Sequence, residues 1–72
     1  MTTLWLSPLD DGCQLCGKPW RGVMYDARLP HGWGNYCHSC FDYFGGSLGT
    51  GRGQRYELQS HGEHKAWVKV AG

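Results

Sequence analysis

Apolar and polar positions change their period several times along the 72 residues, and each change marks an element. Leu4, Trp5 and Leu6 stand together before Pro8, which predicts a short edge strand over residues 1–9, or a tail that packs its tryptophan onto the domain. Trp20, Val23, Met24 and Tyr25 form a strand-prone run, Leu29-Pro-His-Gly32 supplies turn chemistry, and Trp33-Gly-Asn-Tyr36 resumes an extended pattern; together they predict a β-hairpin. Cys37, Cys40, Phe41 and Phe44 then recur at i, i+3, i+4 and i+7, the spacing of one helical face, so a short helix follows. The glycines of Gly45-Gly-Ser-Leu-Gly-Thr-Gly-Arg-Gly53 end that helix, and residues 47–54 read as a glycine-rich loop. Arg55-Tyr-Glu-Leu-Gln59 and Lys65-Ala-Trp-Val-Lys-Val70 read as two strands turned at Ser60-His-Gly-Glu63, a second hairpin over 55–70.

Length makes these elements one domain, 1–72, and exposes a shortage. A chain this short buries too little of its surface to be comfortably stable on apolar burial alone, and it usually adds a metal, disulfides or a partner. Twelve glycines deepen the entropic cost of folding. The remedy is written in the cysteines. Cys13-Gln-Leu-Cys16 and Cys37-His-Ser-Cys40 are separated by twenty residues, the C-x2-C…C-x2-C pattern of a four-cysteine zinc site. Two residues between ligands let one tight turn aim both sulfurs at a single ion, so Cys13, Cys16, Cys37 and Cys40 are expected to hold one structural Zn²⁺. Gly17 after the first pair supplies the positive backbone dihedral that a zinc knuckle needs. The second pair opens the helix, where unpaired N–H groups and the positive end of the helix dipole favour thiolates whose four negative charges exceed the zinc's two. Disulfides suit a small secreted chain, but Met1-Thr-Thr-Leu-Trp-Leu-Ser-Pro8 lacks the basic start and long apolar run of a signal peptide. A redox C-x-x-C normally sits in a βαβ setting with one cysteine pair, for which there is no room here.

The order of knuckle, hairpin and helix over residues 12–46 resembles that of treble-clef zinc fingers. The implied fold is a small zinc-stabilised α+β domain, treble-clef-like, with the C-terminal β-hairpin added. A zinc ribbon is the alternative; ribbons usually place a glycine after the second knuckle, where this chain has Phe41. The stretch from Trp33 through Cys37-x-x-Cys40-Phe41 to Leu48-Gly-Thr-Gly-Arg-Gly-Gln-Arg-Tyr56 is similar to small zinc-knuckle proteins of phages and bacterial prophages. That resemblance implies a compact accessory protein in the host cytoplasm and carries no activity with it.

Seven basic against six acidic residues give a net charge of +1, which does not announce a nucleic-acid binder. No stretch approaches the roughly eighteen apolar residues of a membrane span, and a cytoplasmic protein is expected. Gly49-Thr-Gly-Arg-Gly53 fails the Walker pattern for want of a Lys followed by Ser or Thr, and it fails the dinucleotide pattern for want of a preceding strand. Its plain reading is a flexible connection. Its functional reading is that glycine N–H groups with Arg52 and Arg55 grip a phosphate backbone or an acidic protein surface, joined by Tyr56, Lys65 and Lys69. Most of the ten aromatics must build the core of so small a domain, with Tyr56 beside Arg55 the best placed to stack on a base. His38 lies between two ligands, but the complete cysteine set leaves it no coordinating role; His61 and His64 flank a turn and do not complete a tetrahedron. Metal-dependent nucleases of the His-Asn-His class need an Asp-His or His-His pair between the half-sites and a histidine on the helix. Here that interval offers Asp26 and His31, and the helix offers Asp42, so no catalysis is expected. The expectation is a non-catalytic interaction module. Its favoured partner is a protein, such as host RNA polymerase or an associated factor bound by a phage regulator, and its alternative is direct contact with DNA or RNA.

Overall fold

In the computed structural model, which describes residues 2–72 except the side chain of His61, the first hairpin is formed by β1 (Val23–Leu29) and β2 (Gly32–Tyr36). Strand geometry sends alternate side chains to opposite faces, and β1 uses both. Tyr25, Ala27 and Leu29 are buried on one face, while Met24, fully buried, and Asp26 occupy the other. Next comes α1 (His38–Tyr43), whose N-cap is Cys37 and whose buried residues are Cys40 and Phe41. The second hairpin is formed by β3 (Gly53–His61) and β4 (His64–Ala71).

The two hairpins are not separate units. All four strands join in one antiparallel sheet of order β2-β1-β3-β4, with β3 set against β1 from Val23↔Glu57 to Ala27↔Gly53. The fold is therefore α+β: a four-stranded antiparallel sheet, one short helix and a cysteine cluster. β3 begins two residues earlier than the sequence suggests, because Gly53 pairs with Ala27 and extends the ladder into the glycine-rich stretch. The rest of that stretch is a hydrogen-bonded turn and not a loose tether. Gly53 N–H donates to Gly49 O, Gly49 N–H to Gly53 O, and Arg28 N–H of β1 to Arg52 O, at 3.0, 2.9 and 2.9 Å.

One face of the sheet carries the helix and the cysteines, over a core of Cys13, Tyr25, Ala27, Leu29, Tyr36, Cys40 and Phe41. On the opposite face Met24 is paired across the strands with buried Tyr56, and Asn35 Nδ2 donates to the Met24 sulfur at 3.4 Å. The N-terminal segment closes this region. Leu4 bridges Val68, Trp5 N–H donates to Trp67 O at 3.0 Å, and Lys69 N–H donates to Thr3 O at 2.8 Å, so the segment runs along the free edge of β4. Its tryptophan meets Tyr56 edge to face at 5.6 Å, and Trp20 meets Trp67 in the same manner at 6.3 Å. Among the described residues no helix is long and apolar enough to cross a membrane.

Candidate metal centre

The first cysteine pair is held in a turn that closes on itself. Cys13 N–H donates to Lys18 O and Gly17 N–H to Cys13 O, both at 2.9 Å, and Gly12 bridges Pro19. Gly17 takes φ +77°, the left-handed conformation that the knuckle needs at that position. Gln14 then ties this turn to the outer edge of β2. Its N–H donates to Asn35 O, and its side-chain oxygen accepts from Asn35 N–H, each at 3.0 Å. Because β2 runs directly into Cys37, fastening the knuckle to Asn35 brings the first pair beside the second. Phe41 N–H donates to Cys37 O, which begins α1 and turns Cys40 inward.

The result is a cluster of four sulfurs whose atoms all lie within 4.8 Å of one another. Cys16 and Cys37 Sγ are 3.7 Å apart, all four cysteines are free thiols, and the arrangement can hold one metal ion. Cys13 and Cys40 are buried, while Cys16 is exposed. Burial pushes the Cys13 thiol up, but backbone N–H groups of Cys16, Cys37 and Leu15 outweigh it and bring the group down to about 6. Cys40 is raised, first by burial and then by the neighbouring cysteines, and Cys37 is raised by burial. Four thiolates this close repel one another, so one ionises readily and its neighbours resist; a bound cation removes that conflict.

A layer of aromatic packing backs the cluster. Tyr25 stacks on Phe41 with centroids 4.0 Å apart and planes 12° from parallel, its hydroxyl hydrogen-bonds His38 Nδ1 at 2.9 Å, and the Arg55 guanidinium lies over its ring at 6.0 Å. His38 is thus held by a tyrosine and stands outside the sulfur cluster.

The residues read as partner-binding are not gathered into one patch. Arg52 is exposed at the tight turn before β3, while Lys65 lies at the far end of the sheet opposite Ser60, about 26 Å away along β3 at the usual rise per residue. Lys69 is opposite Tyr56. Arg55 is committed to Glu57 at 3.1 Å, and Tyr56, 6 % exposed, has its ring under Trp5 and not in solvent. The pair considered at His61 and His64 includes a side chain outside the described residues. What sequence reasoning missed was the Tyr25–His38 contact, since a strand tyrosine and a histidine thirteen residues beyond it share no motif. Lys18 and Arg21 were passed over too, although their place just after Cys16 was a usable signal.

Comparison with protein-family models, with curated proteins and with solved structures gives no match. The likeness to treble-clef fingers and to phage and prophage knuckle proteins therefore rests on this chain's residues alone.

Proposed function

We propose that the chain is a non-catalytic zinc-binding interaction module built on a treble-clef-like core. The observation that carries the metal is the sulfur geometry. A Zn–S distance of about 2.3 Å gives a tetrahedron with edges of about 3.8 Å; the Cys16–Cys37 separation is 3.7 Å, and no pair exceeds 4.8 Å. A thiolate-only tetrahedral set suits zinc, and four protein ligands leave no open position for water or substrate, which favours a structural role over a catalytic one. Knuckle, hairpin and a helix carrying the second pair follow the treble-clef order.

For the partner we favour a protein, and within the phage resemblance a component of the host transcription machinery met in the cytoplasm. Net charge of +1 and dispersed cations offer few simultaneous phosphate contacts, whereas Trp33 and Tyr43, 49 % and 77 % exposed, and Arg52 are residue types enriched at protein interfaces. Metal analysis of the purified protein should find one zinc per chain, and chelation should unfold it. A full cooperative melt in chelator with negligible bound zinc would end this reading. Affinity capture from a bacterial lysate, repeated after nuclease treatment, tests the partner class. Capture that disappears with nuclease, or DNA binding that falls steeply with salt, gives direct nucleic-acid recognition in its place.

A further inference from the structure

Beside the cysteine cluster lies a cleft of about 350 Å³, lined by Lys18, Pro19, Arg21 and Val23 from the first half of the chain and by Cys37, His38 and Ser39 at the start of α1. Its chemistry is one-sided. Two cations, an imidazole, a hydroxyl and the Cys37 sulfur face it, and among the described residues no carboxylate lines it. Two carboxylates stand close to the lining residues: Asp42, one turn beyond His38 and Ser39 on α1, and Glu57, opposite Val23, whose carboxylate is held by Arg55 at 3.1 Å. Lys18 and Arg21 therefore face the cleft with no carboxylate among its lining residues, and the Cys37 sulfur is the one group there that can carry negative charge.

His38 adds a directed donor. Its Nδ1 is engaged by the Tyr25 hydroxyl at 2.9 Å, and when that hydroxyl donates, the imidazole proton sits on Nε2, the nitrogen left for a ligand. An ammonium, a guanidinium, an imidazole N–H and a serine hydroxyl are the donor set that a tetrahedral dianion satisfies, with charge-assisted hydrogen bonds to the two cations. The volume lies near the lower end of the roughly 300–1,000 Å³ range of small-molecule sites, which leaves room for a sugar- or nucleotide-sized body behind the anion.

We propose that the cleft formed by Lys18, Arg21, His38 and Ser39 binds the phosphate monoester of a small molecule. The site rests on the zinc module, because one wall belongs to the first knuckle and the other follows Cys37, and the metal clamps the two together. It goes beyond that module in placing a small-ligand function there. The competing account is that Lys18 and Arg21 merely offset the negative charge of a tetrathiolate centre; it predicts weaker zinc retention in their variants and no ligand.

The test is a titration of the full zinc-loaded chain, followed by amide and side-chain NMR shifts at constant ionic strength. Its probes are inorganic phosphate, ribose 5-phosphate and adenosine 5′-monophosphate, with adenosine as the uncharged control. Saturable shifts confined to residues 18–21 and 38–39 are expected with all three phosphates and not with adenosine; the tightest probe identifies the body attached. Arg21→Ala and Lys18→Ala should each weaken binding about tenfold, the size of one lost hydrogen bond to a charged group, and Arg21→Lys should recover part of it. A folded protein without saturable shifts, equal shifts with adenosine, or unchanged binding in Arg21→Ala would overturn the proposal. Metal analysis of the same samples judges the zinc reading separately, and a preparation that proves metal-free yet folded still decides the cleft by the same titration.

Discussion

A methyl group at position 12 would have nowhere to go. An ideal Cβ there overlaps the Lys18 carbonyl, with the carbonyl carbon 2.8 Å and the Gly17 oxygen 3.0 Å away, and that carbonyl is the acceptor for Cys13 N–H. Gly12→Ala must therefore push the knuckle open where it aims the first two sulfurs. With overpacking costs of about 1–3 kcal/mol, zinc affinity measured by chelator competition should fall about tenfold or more. Tyr25→Phe makes the contrast. It removes the hydroxyl that holds His38 Nδ1 but keeps the stack on Phe41, so it should cost about 1 kcal/mol in a denaturant melt while zinc stoichiometry stays unchanged. Of these residue-scale demands, only Gly17 was legible in the sequence, because a glycine directly after a C-x-x-C has a local meaning. The demand on Gly12 arises from a chain segment folding back six residues later, and nothing at position 12 itself announces it.

Elements were legible where their partners are close in sequence. The turn residues at Pro30 and His31 join β1 to β2, the turn at Gly62 and Glu63 joins β3 to β4, and the i, i+3, i+4 recurrence of Cys37, Cys40 and Phe41 marks α1. The β1–β3 pairing was not legible. It couples Ala27 to Gly53 across the helix and the glycine turn, and one strand's alternation does not say which other strand it will face. The same holds for the N-terminal segment, which shows three apolar residues but not that β4 is the edge they cover. That docking has a measurable weight. Trp5 is partly buried against Tyr56, and its indole Nε1 is buried with no hydrogen-bond partner, so part of its packing gain is offset. Trp5→Ala should cost about 2 kcal/mol, below the roughly 3–5 kcal/mol of a fully buried aromatic, as read by chemical denaturation. Hydrogen exchange at Lys69 N–H, which donates to Thr3 O, should accelerate more than exchange in the β1–β2 ladder. Equal acceleration in both would mean that the tail is integral to the whole sheet and not a separate closure of its edge.

For the whole molecule the governing quantity is the coupling of metal, protons and folding. The helix-side core is a cluster of seven buried residues, two of them cysteines from opposite halves of the sulfur cluster, so the candidate metal centre and the hydrophobic core are one structure. Cys37 and Cys40 are both raised above the ordinary thiol range, burial being the first cause in each, so both hold their protons at neutral pH until a cation displaces them. Cys13, brought down to about 6, is already ionised there and offers the first attachment point. Binding at pH 7 should thus release about two or more protons per chain, and apparent zinc affinity should fall about a hundredfold for each unit of acidification. The sign follows directly: protons compete with metal for the same sulfurs, so acid weakens the folded, loaded state and base strengthens it until zinc hydroxide competes. At fixed free zinc the stabilisation equals RT ln(1 + [Zn]/Kd), so the melting temperature should drop between pH 8 and pH 6. Chelator competition at three pH values, paired with proton release in weak buffer, measures both sides of this linkage. An affinity independent of pH would mean that no thiol protons are displaced, and the sulfur cluster would then not be where the metal binds.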